Sequence, residues 1–380
     1  MEKTELISDG FWREAGVHVA LPPDEGAGSG WLRLIETAMP FLPEGGCLFR
    51  TSGSEGKPKW VALEKRAFLH SARVVNAHYD LTGADHWLVA LPLHHVAGMA
   101  ICARAWSVGA EVSFFESRWD PAAFVRCLRE RQITAVSLVP TQLHDLVVGG
   151  FRAPAGLRLV LAGGGRMEAE RMLAALNLGW PVCATYGMTE TASSVACQTI
   201  EHDRVGAPEV LEVLPHWQTT VDADERLTVL GPALARGYVV SDQDTGDCQW
   251  QAMDPAVGLR TRDRVRLWHD GTRSFLRFLG RESACVKVLG ELVYLEQVEQ
   301  RLRQLAGPEA GELMVIAEPD ARREQCLVLL MENTDEAMAS RLIERYHEVC
   351  RGFETIGRWQ TGITLERTEL GKLRRISSPS

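Results

Sequence analysis

Short apolar runs alternate with longer segments of helical period along most of this chain. Trp87–Leu91, Glu111–Phe115, Ala135–Val139 and Leu157–Leu161 have the length of strands. Pro121–Arg131 and Met167–Leu176 space their apolar residues as one face of a helix requires. Strands separated by helices of that length predict a layered α/β sheet. An amphipathic segment at Trp31–Met39 precedes them, framed by Pro- and Gly-rich stretches. From Val205 to about Tyr238 the pattern shortens to strands with Gly/Pro turns, which predicts a small β subdomain. Ser241–Asp247 is polar and reads as an exposed loop.

After Gly280-Arg281 the order changes. Strands come first, then a helix near Leu295–Leu305, strands Glu312–Ala317 and Gln325–Met331, and a helix over Asp335–Arg351. This divides the chain into a large domain, 1–281, and a smaller α+β domain, 282–380.

Composition narrows the function classes. At 380 residues and 46% hydrophobic, the chain can bury a large core and form more than one domain. The net charge is −9, and Lys372-Leu373-Arg374-Arg375 is the one basic cluster, which argues against nucleic acid as a partner. Nine cysteines lie scattered with no C-x-x-C pair, as reduced thiols in a cytoplasm would. No apolar run reaches the length of a membrane span, and Met1–Glu5 lacks a signal pattern.

Three segments carry chemistry. Thr51-Ser52-Gly53-Ser54-Glu55-Gly56-Lys57-Pro58-Lys59 is rich in hydroxyls and glycine. Such a backbone can turn several N–H groups toward one anion, with two lysines supplying charge, so the loop suits a polyphosphate. It is not a Walker A loop: its glycines are too close together and Pro58 stands where that motif wants Ser or Thr. Taken alone, it also reads as a surface turn. Tyr186-Gly187-Met188-Thr189-Glu190-Thr191 follows the apolar run Trp180–Ala184 and reads as a strand ending in a glycine turn. It offers a ring to stack, a hydroxyl for a phosphate and a carboxylate for Mg²⁺, which needs only one or two carboxylates beside substrate phosphates. Alone, Glu190 reads first as a helix-entry charge or part of a cap. The third segment is Leu365-x-Arg-Thr-x-x-Gly-Lys-x-x-Arg, ending at Arg375.

In this order the three segments resemble the adenylate-forming superfamily, which includes acyl- and aryl-CoA synthetases, luciferases and peptide-synthetase adenylation domains. Between them stand Leu91-Pro92-Leu93-His94-His95-Val96-Ala97-Gly98, Gly163-Gly164-Gly165, Thr261-Arg262-Asp263, Gly280-Arg281-Glu282-Ser283 and Lys287-Val288-Leu289-Gly290-Glu291. The likeness covers Leu48 to Arg375. Val136–Leu143, Thr-Arg-Asp-Arg at 261–264 and Ser283 more narrowly resemble the o-succinylbenzoate–CoA ligases of menaquinone biosynthesis.

The resemblance implies an ATP- and Mg²⁺-dependent ligase that makes an acyl adenylate and then a CoA thioester. Thr51, Ser52, Gly53, Ser54 and Lys57 would cradle the β- and γ-phosphates. Thr189 would contact the α-phosphate, and Glu190 would bind Mg²⁺. Gly163, Gly164, Gly165 and Tyr186, with Gly187 in the turn, would flank the adenine. Asp263 would accept the ribose hydroxyls with Arg281 assisting, and Lys372 would bridge the reacting carboxylate and α-phosphate. Residues 282–380 would form a mobile lid hinged at Ser283, bringing Lys287 and Gly290 to the pantetheine of CoA. His95 stands where relatives gate the acyl pocket, and it equally reads as a core histidine. For a spared second carboxylate, Ser193, Ser194, Arg166 and Arg204 are the candidate donors.

Relatives place about a hundred residues before the phosphate loop, whereas fifty precede it here. The expectation is a missing N-terminal subdomain, with the acyl pocket and any homo-oligomer surface reshaped. Two alternatives stay open. One is an adenylating enzyme for another acid or for a carrier protein; the other is a nucleotide-binding module that has lost its chemistry.

Overall fold

The computed structural model describes residues 5–21, 29–51, 59–165, 167, 169–199, 209–241, 247–281, 285–289, 291–307, 311–320, 323–367 and 373. By internal contacts it divides into two compact units. The first comprises 1–220, 228–260 and 267–277; the second comprises 221–227, 261–266 and 278–380.

The first unit starts with α1 (Asp9–Arg13), β1 (Val17–Ala20), α2 (Ser29–Ala38), β2 (Gly46–Thr51), β3 (Lys59–Glu64) and α3 (Lys65–His78). Lys65, 1% exposed, ties this opening segment down. Its ammonium donates to the carbonyls of Phe11 at 2.6 Å and Glu14 at 2.9 Å, at the C-terminal end of α1. A cation there satisfies carbonyls that have no partner within the helix.

The α/β core follows: β4 (His86–Val89), α4 (Val96–Val108), β5 (Glu111–Phe114), α5 (Pro121–Glu130), β6 (Ala135–Leu138), α6 (Pro140–Val148), β7 (Leu159–Ala162), α7 (Ala169–Asn177) and β8 (Val182–Met188). These strands run parallel in the order β8-β7-β6-β4-β5. Every residue of β6 and β7 is buried, which is why they read as continuous apolar runs. Asp120 caps α5 by accepting the Ala123 N–H at 2.6 Å, and Pro121 opens the helix.

β9 (Ser193–Cys197) returns antiparallel beside β8, followed by β10 (Val210–Val213), β11 (Gln218–Val221), β12 (Arg226–Leu230), β13 (Gly237–Ser241), β14 (Cys248–Ala252), β15 (Leu259–Asp270) and β16 (Arg273–Arg281). Here the structure differs from the pattern reading. β10 pairs with β9 and β16 in the large sheet. Only β13, of the strands between Val205 and Tyr238, joins the second sheet, ordered β1-β2-β3-β13-β14. Long-range pairing decided this partition, and the local period does not encode it.

In the second unit, β17 (Cys285–Val288) and β18 (Glu291–Tyr294) form an antiparallel pair, followed by α8 (Leu295–Ala306), β19 (Leu313–Asp320), β20 (Glu324–Met331), α9 (Glu336–Val349) and β21 (Ile356–Thr361). Alternation along β20 builds two apolar clusters. Leu327, Leu329 and Met331 join Val298, Leu302, Leu342 and Ile343. Val328 and Leu330 join Met314, Leu365 and Leu373. Among the described residues no helix is long and apolar enough to cross a membrane.

Candidate active site

The Tyr186–Glu190 segment lies where β8 gives way to β9. β8 carries Tyr186, Gly187 and Met188 as strand residues, and a bulge falls between Tyr186 and Gly187. The turn comes later, at Thr189–Thr191, so the expected glycine turn is a strand end. Gly187 serves a different need. A Cβ there would stand 1.7 Å from the Ser193 carbonyl oxygen, so the two strands close only over a residue without a side chain.

Thr191, fully buried, clasps the turn. Its Oγ1 accepts the Met188 N–H at 3.1 Å and lies 3.0 Å from the Met188 carbonyl and 2.9 Å from that of Ser193. Ala192 (φ 49°) and Ser193 (φ 102°) complete the reversal in left-handed backbone. Two such non-glycine residues in succession store strain that the clasp must hold. Replacing Gly187 with alanine should therefore destabilise the protein by about 2–3 kcal/mol, as overpacking does. Chemical denaturation checks this, and an unchanged midpoint would mean the turn relaxes freely.

The glycine run lies alongside. Gly163 follows β7, next to β8, and a Cβ on it would meet Thr185 Oγ1 at 2.4 Å. Gly164 takes φ 76°. The backbone at Gly163 is thus held close against the strand that leads into Tyr186.

Glu190 is half-buried and faces the second sheet. Its carbonyl accepts the Ala235 N–H at 2.8 Å, and its Oε1 accepts the Tyr238 hydroxyl at 3.3 Å. The Lys59 ammonium stands 5.9 Å from the centre of the Tyr238 ring. Thr51 pairs with Lys59 across β2 and β3, and its Oγ1 donates to the Lys59 carbonyl at 3.3 Å. The two ends of the phosphate-loop segment therefore stand in one contact series with Glu190. Ser52, Gly53, Ser54 and Lys57 themselves lie outside the described residues.

Sequence reasoning missed Arg104. It sits in the middle of α4, 3% exposed, with its guanidinium 3.1 Å from Ser193 Oγ and 3.4 Å from Ser194 Oγ. Among the described residues no carboxylate pairs with it, and its buried Nε has no hydrogen-bond partner. The Trp87 ring lies 6.0 Å away. Burial pulls the guanidinium down to about 10, still charged at neutral pH. His95 is the N-cap of the same helix and packs on the His94 ring at 4.4 Å. The helix can start there because Gly98 lacks a Cβ, which would stand 2.4 Å from the Pro92 carbonyl.

The second unit holds its own cluster. Asp263, 4% exposed, receives Arg281 Nε at 2.7 Å, and its N–H donates to Thr261 Oγ1 at 3.1 Å. Thr261 in turn donates to the Leu227 carbonyl at 2.9 Å. Arg264 donates to the Tyr294 hydroxyl and lies 5.2 Å from that ring's centre. Asp263 and Arg281, expected together, are together. Gly290, Ser283, Arg166, Arg204 and Lys372 lie outside the described residues, as does the Lys287 side chain. Arg367 and Leu373, on either side of Lys372 in the sequence, form an antiparallel bridge. Leu373 packs against the cluster around Leu330.

Among the described residues no three His, Cys, Asp or Glu side chains could hold a metal by themselves. A Mg²⁺ that arrives on ATP needs less, and Glu190, oriented by Tyr238, fits that role.

The sequence profile of AMP-binding enzymes matches residues 47–239, half of the chain. The chain belongs to this family. The AMP-binding chain is 29% identical over 287 residues to a 2-succinylbenzoate–CoA ligase of Enterococcus faecalis, covering 72% of itself and 56% of that protein. It is similar to wild-type E. coli MenE with a bound m-phenylether-linked analogue of OSB-AMS, at TM-score 0.63 and 26% identity, over 83% of this chain and 65% of that one. Bacillus subtilis o-succinylbenzoate CoA synthetase (MenE) with OSB-AMP shares the fold at TM-score 0.75 and 24% identity, over 86% and 67%. The chain thus spans little more than half the length of the curated relative.

Proposed function

We propose that this AMP-binding chain is an AMP-forming acid–CoA ligase of the cytoplasm, acting on 2-succinylbenzoate on the way to menaquinone. A carboxylate is a poor electrophile, because its leaving group would be oxide. One of its oxygens attacks the α-phosphorus of ATP, the bond to the bridging oxygen breaks, and pyrophosphate leaves with that electron pair. The thiol sulfur of CoA then attacks the acyl carbon and AMP departs, the thiol proton passing to solvent. Both reactants of the first step are anions, so positioning and charge neutralisation carry the rate.

The proposed roles are those the family resemblance implies. Thr189 meets the α-phosphate, and Glu190 would hold the Mg²⁺ that neutralises phosphate charge. Gly163–Gly165 and Tyr186 flank the adenine, and Asp263 with Arg281 holds the ribose. Lys372, on a lid formed by residues 282–380, neutralises the reacting oxygens. Lys287 and Gly290 attend the CoA step, with His95 at the mouth of the acyl pocket.

The observation that carries the substrate is Arg104. A buried cation without a counter-ion costs several kcal/mol unless an anion arrives to meet it. Through Ser193 and Ser194 it turns positive charge toward the strand after Glu190, where the second carboxylate of a dicarboxylic acid would bind. The test is pyrophosphate release from Mg²⁺-ATP with 2-succinylbenzoate, benzoate and medium-chain fatty acids, with and without CoA. Release selective for 2-succinylbenzoate is expected. Equal release with benzoate would remove the dicarboxylate assignment, and none with any acid would favour a module without chemistry.

A further inference from the structure

Glu190 stands on the strained turn after β8, but the group that orients its carboxylate comes from the other sheet. Tyr238 lies on β13, paired with Val61 of β3, while Lys59 of β3 pairs with Val240. This register puts the Lys59 ammonium 5.9 Å from the Tyr238 ring centre. The ring's hydroxyl reaches Glu190 Oε1 at 3.3 Å. The Glu190 backbone is fixed separately, through its carbonyl and the Ala235 N–H. Main chain and carboxylate are therefore held by two independent bonds from the segment 235–238.

We propose that Tyr238 is the positioning residue of the metal ligand: its hydroxyl presets the Glu190 carboxylate for the Mg²⁺ that accompanies ATP, and so couples the two binding events. This rests on the reading of Glu190 above. A ligating carboxylate free to rotate loses torsional freedom on meeting the metal, whereas one already hydrogen-bonded loses less.

Calorimetric titration of ATP without any acid substrate, in Mg²⁺ and in EDTA, separates these roles. Wild type should bind ATP more tightly with Mg²⁺, and Glu190→Gln should lose that enhancement. Tyr238→Phe should lower the enhancement by roughly tenfold, the low end for an outer partner of a ligand because the bond is long. Its affinity in EDTA and its thermal midpoint should stay near wild type. Full enhancement in Tyr238→Phe, or equal loss with and without Mg²⁺, would overturn the positioning role alone. Enhancement that survives Glu190→Gln, or is missing from wild type, would overturn the metal assignment and the inference together. A Tyr238→His variant, able to donate from the same strand position, should recover part of the coupling; no recovery in a folded variant counts against it.

Discussion

Lys372→Ala should lower pyrophosphate release with 2-succinylbenzoate by about 10²–10³-fold, the cost of removing one preorganised charge from a developing anionic centre. The loss should fall on kcat, with KM for ATP nearly unchanged, because the proposed contact forms as the carboxylate and α-phosphate approach. Supplied with preformed acyl adenylate and CoA, the variant should make thioester at close to the wild-type rate. That split distinguishes a catalytic lysine from a structural one, which would slow both half-reactions. The described flanks favour the first. Leu373 is anchored in the Met314–Leu330 cluster, and Arg367, bridged to it, pairs with Glu332 at 2.6 Å. Glu332 also accepts the Leu365 N–H at 2.6 Å. The base of the Lys372 segment is held by apolar packing and a doubly engaged carboxylate, so trimming Lys372 itself should leave stability alone. A change under twofold would return Lys372 to an ordinary solvated charge.

The buried parallel strands were legible because burial on both faces makes each a short apolar run, and β4, β6 and β7 fall within a residue or two of the expected spans. α5 and α9 were legible through the helical spacing of their half-buried faces. α4 was visible only as a motif followed by apolar sequence. A helix buried all round has no polar stripe to mark its period, and all eight residues from Gly98 to Ala105 are buried. The candidate site divides the same way. Gly163–Gly165, Thr189, Glu190 and Asp263 announce themselves by residue type and order. Tyr238 and Arg104 do not, since each acts on a partner far along the chain: 48 residues for Tyr238 and Glu190, 89 for Arg104 and Ser193. Ser193 and Ser194 were named from sequence as candidate donors, and in the structure their hydroxyls meet the Arg104 guanidinium. Gly187 was read as a turn residue, whereas its requirement is the close approach of Ser193, which no local pattern records.

Arg104→Met should sever recognition of the second carboxylate while leaving the fold intact, and the two readouts should move independently. With 2-succinylbenzoate, kcat/KM should fall by roughly 10²–10³-fold, since an anion bound in a buried site loses its counter-charge. With benzoate, which lacks that group, the change should be small, so the preference for the dicarboxylate collapses. Stability should hold or rise. Methionine fills the space of the guanidinium's aliphatic stem, and exchanging an unpaired buried charge for an apolar side chain is commonly neutral or favourable. The bonds to Ser193 and Ser194 are lost, but at 3.1 and 3.4 Å they offset only part of the burial cost. Arg104→Lys keeps the charge and loses the fork, so it should retain part of the selectivity. A structural arginine predicts the reverse: a lower thermal midpoint and equal loss with every acid. A buried cation that has no carboxylate partner among the described residues is, on the proposed reading, a binding determinant whose ion pair the ligand completes.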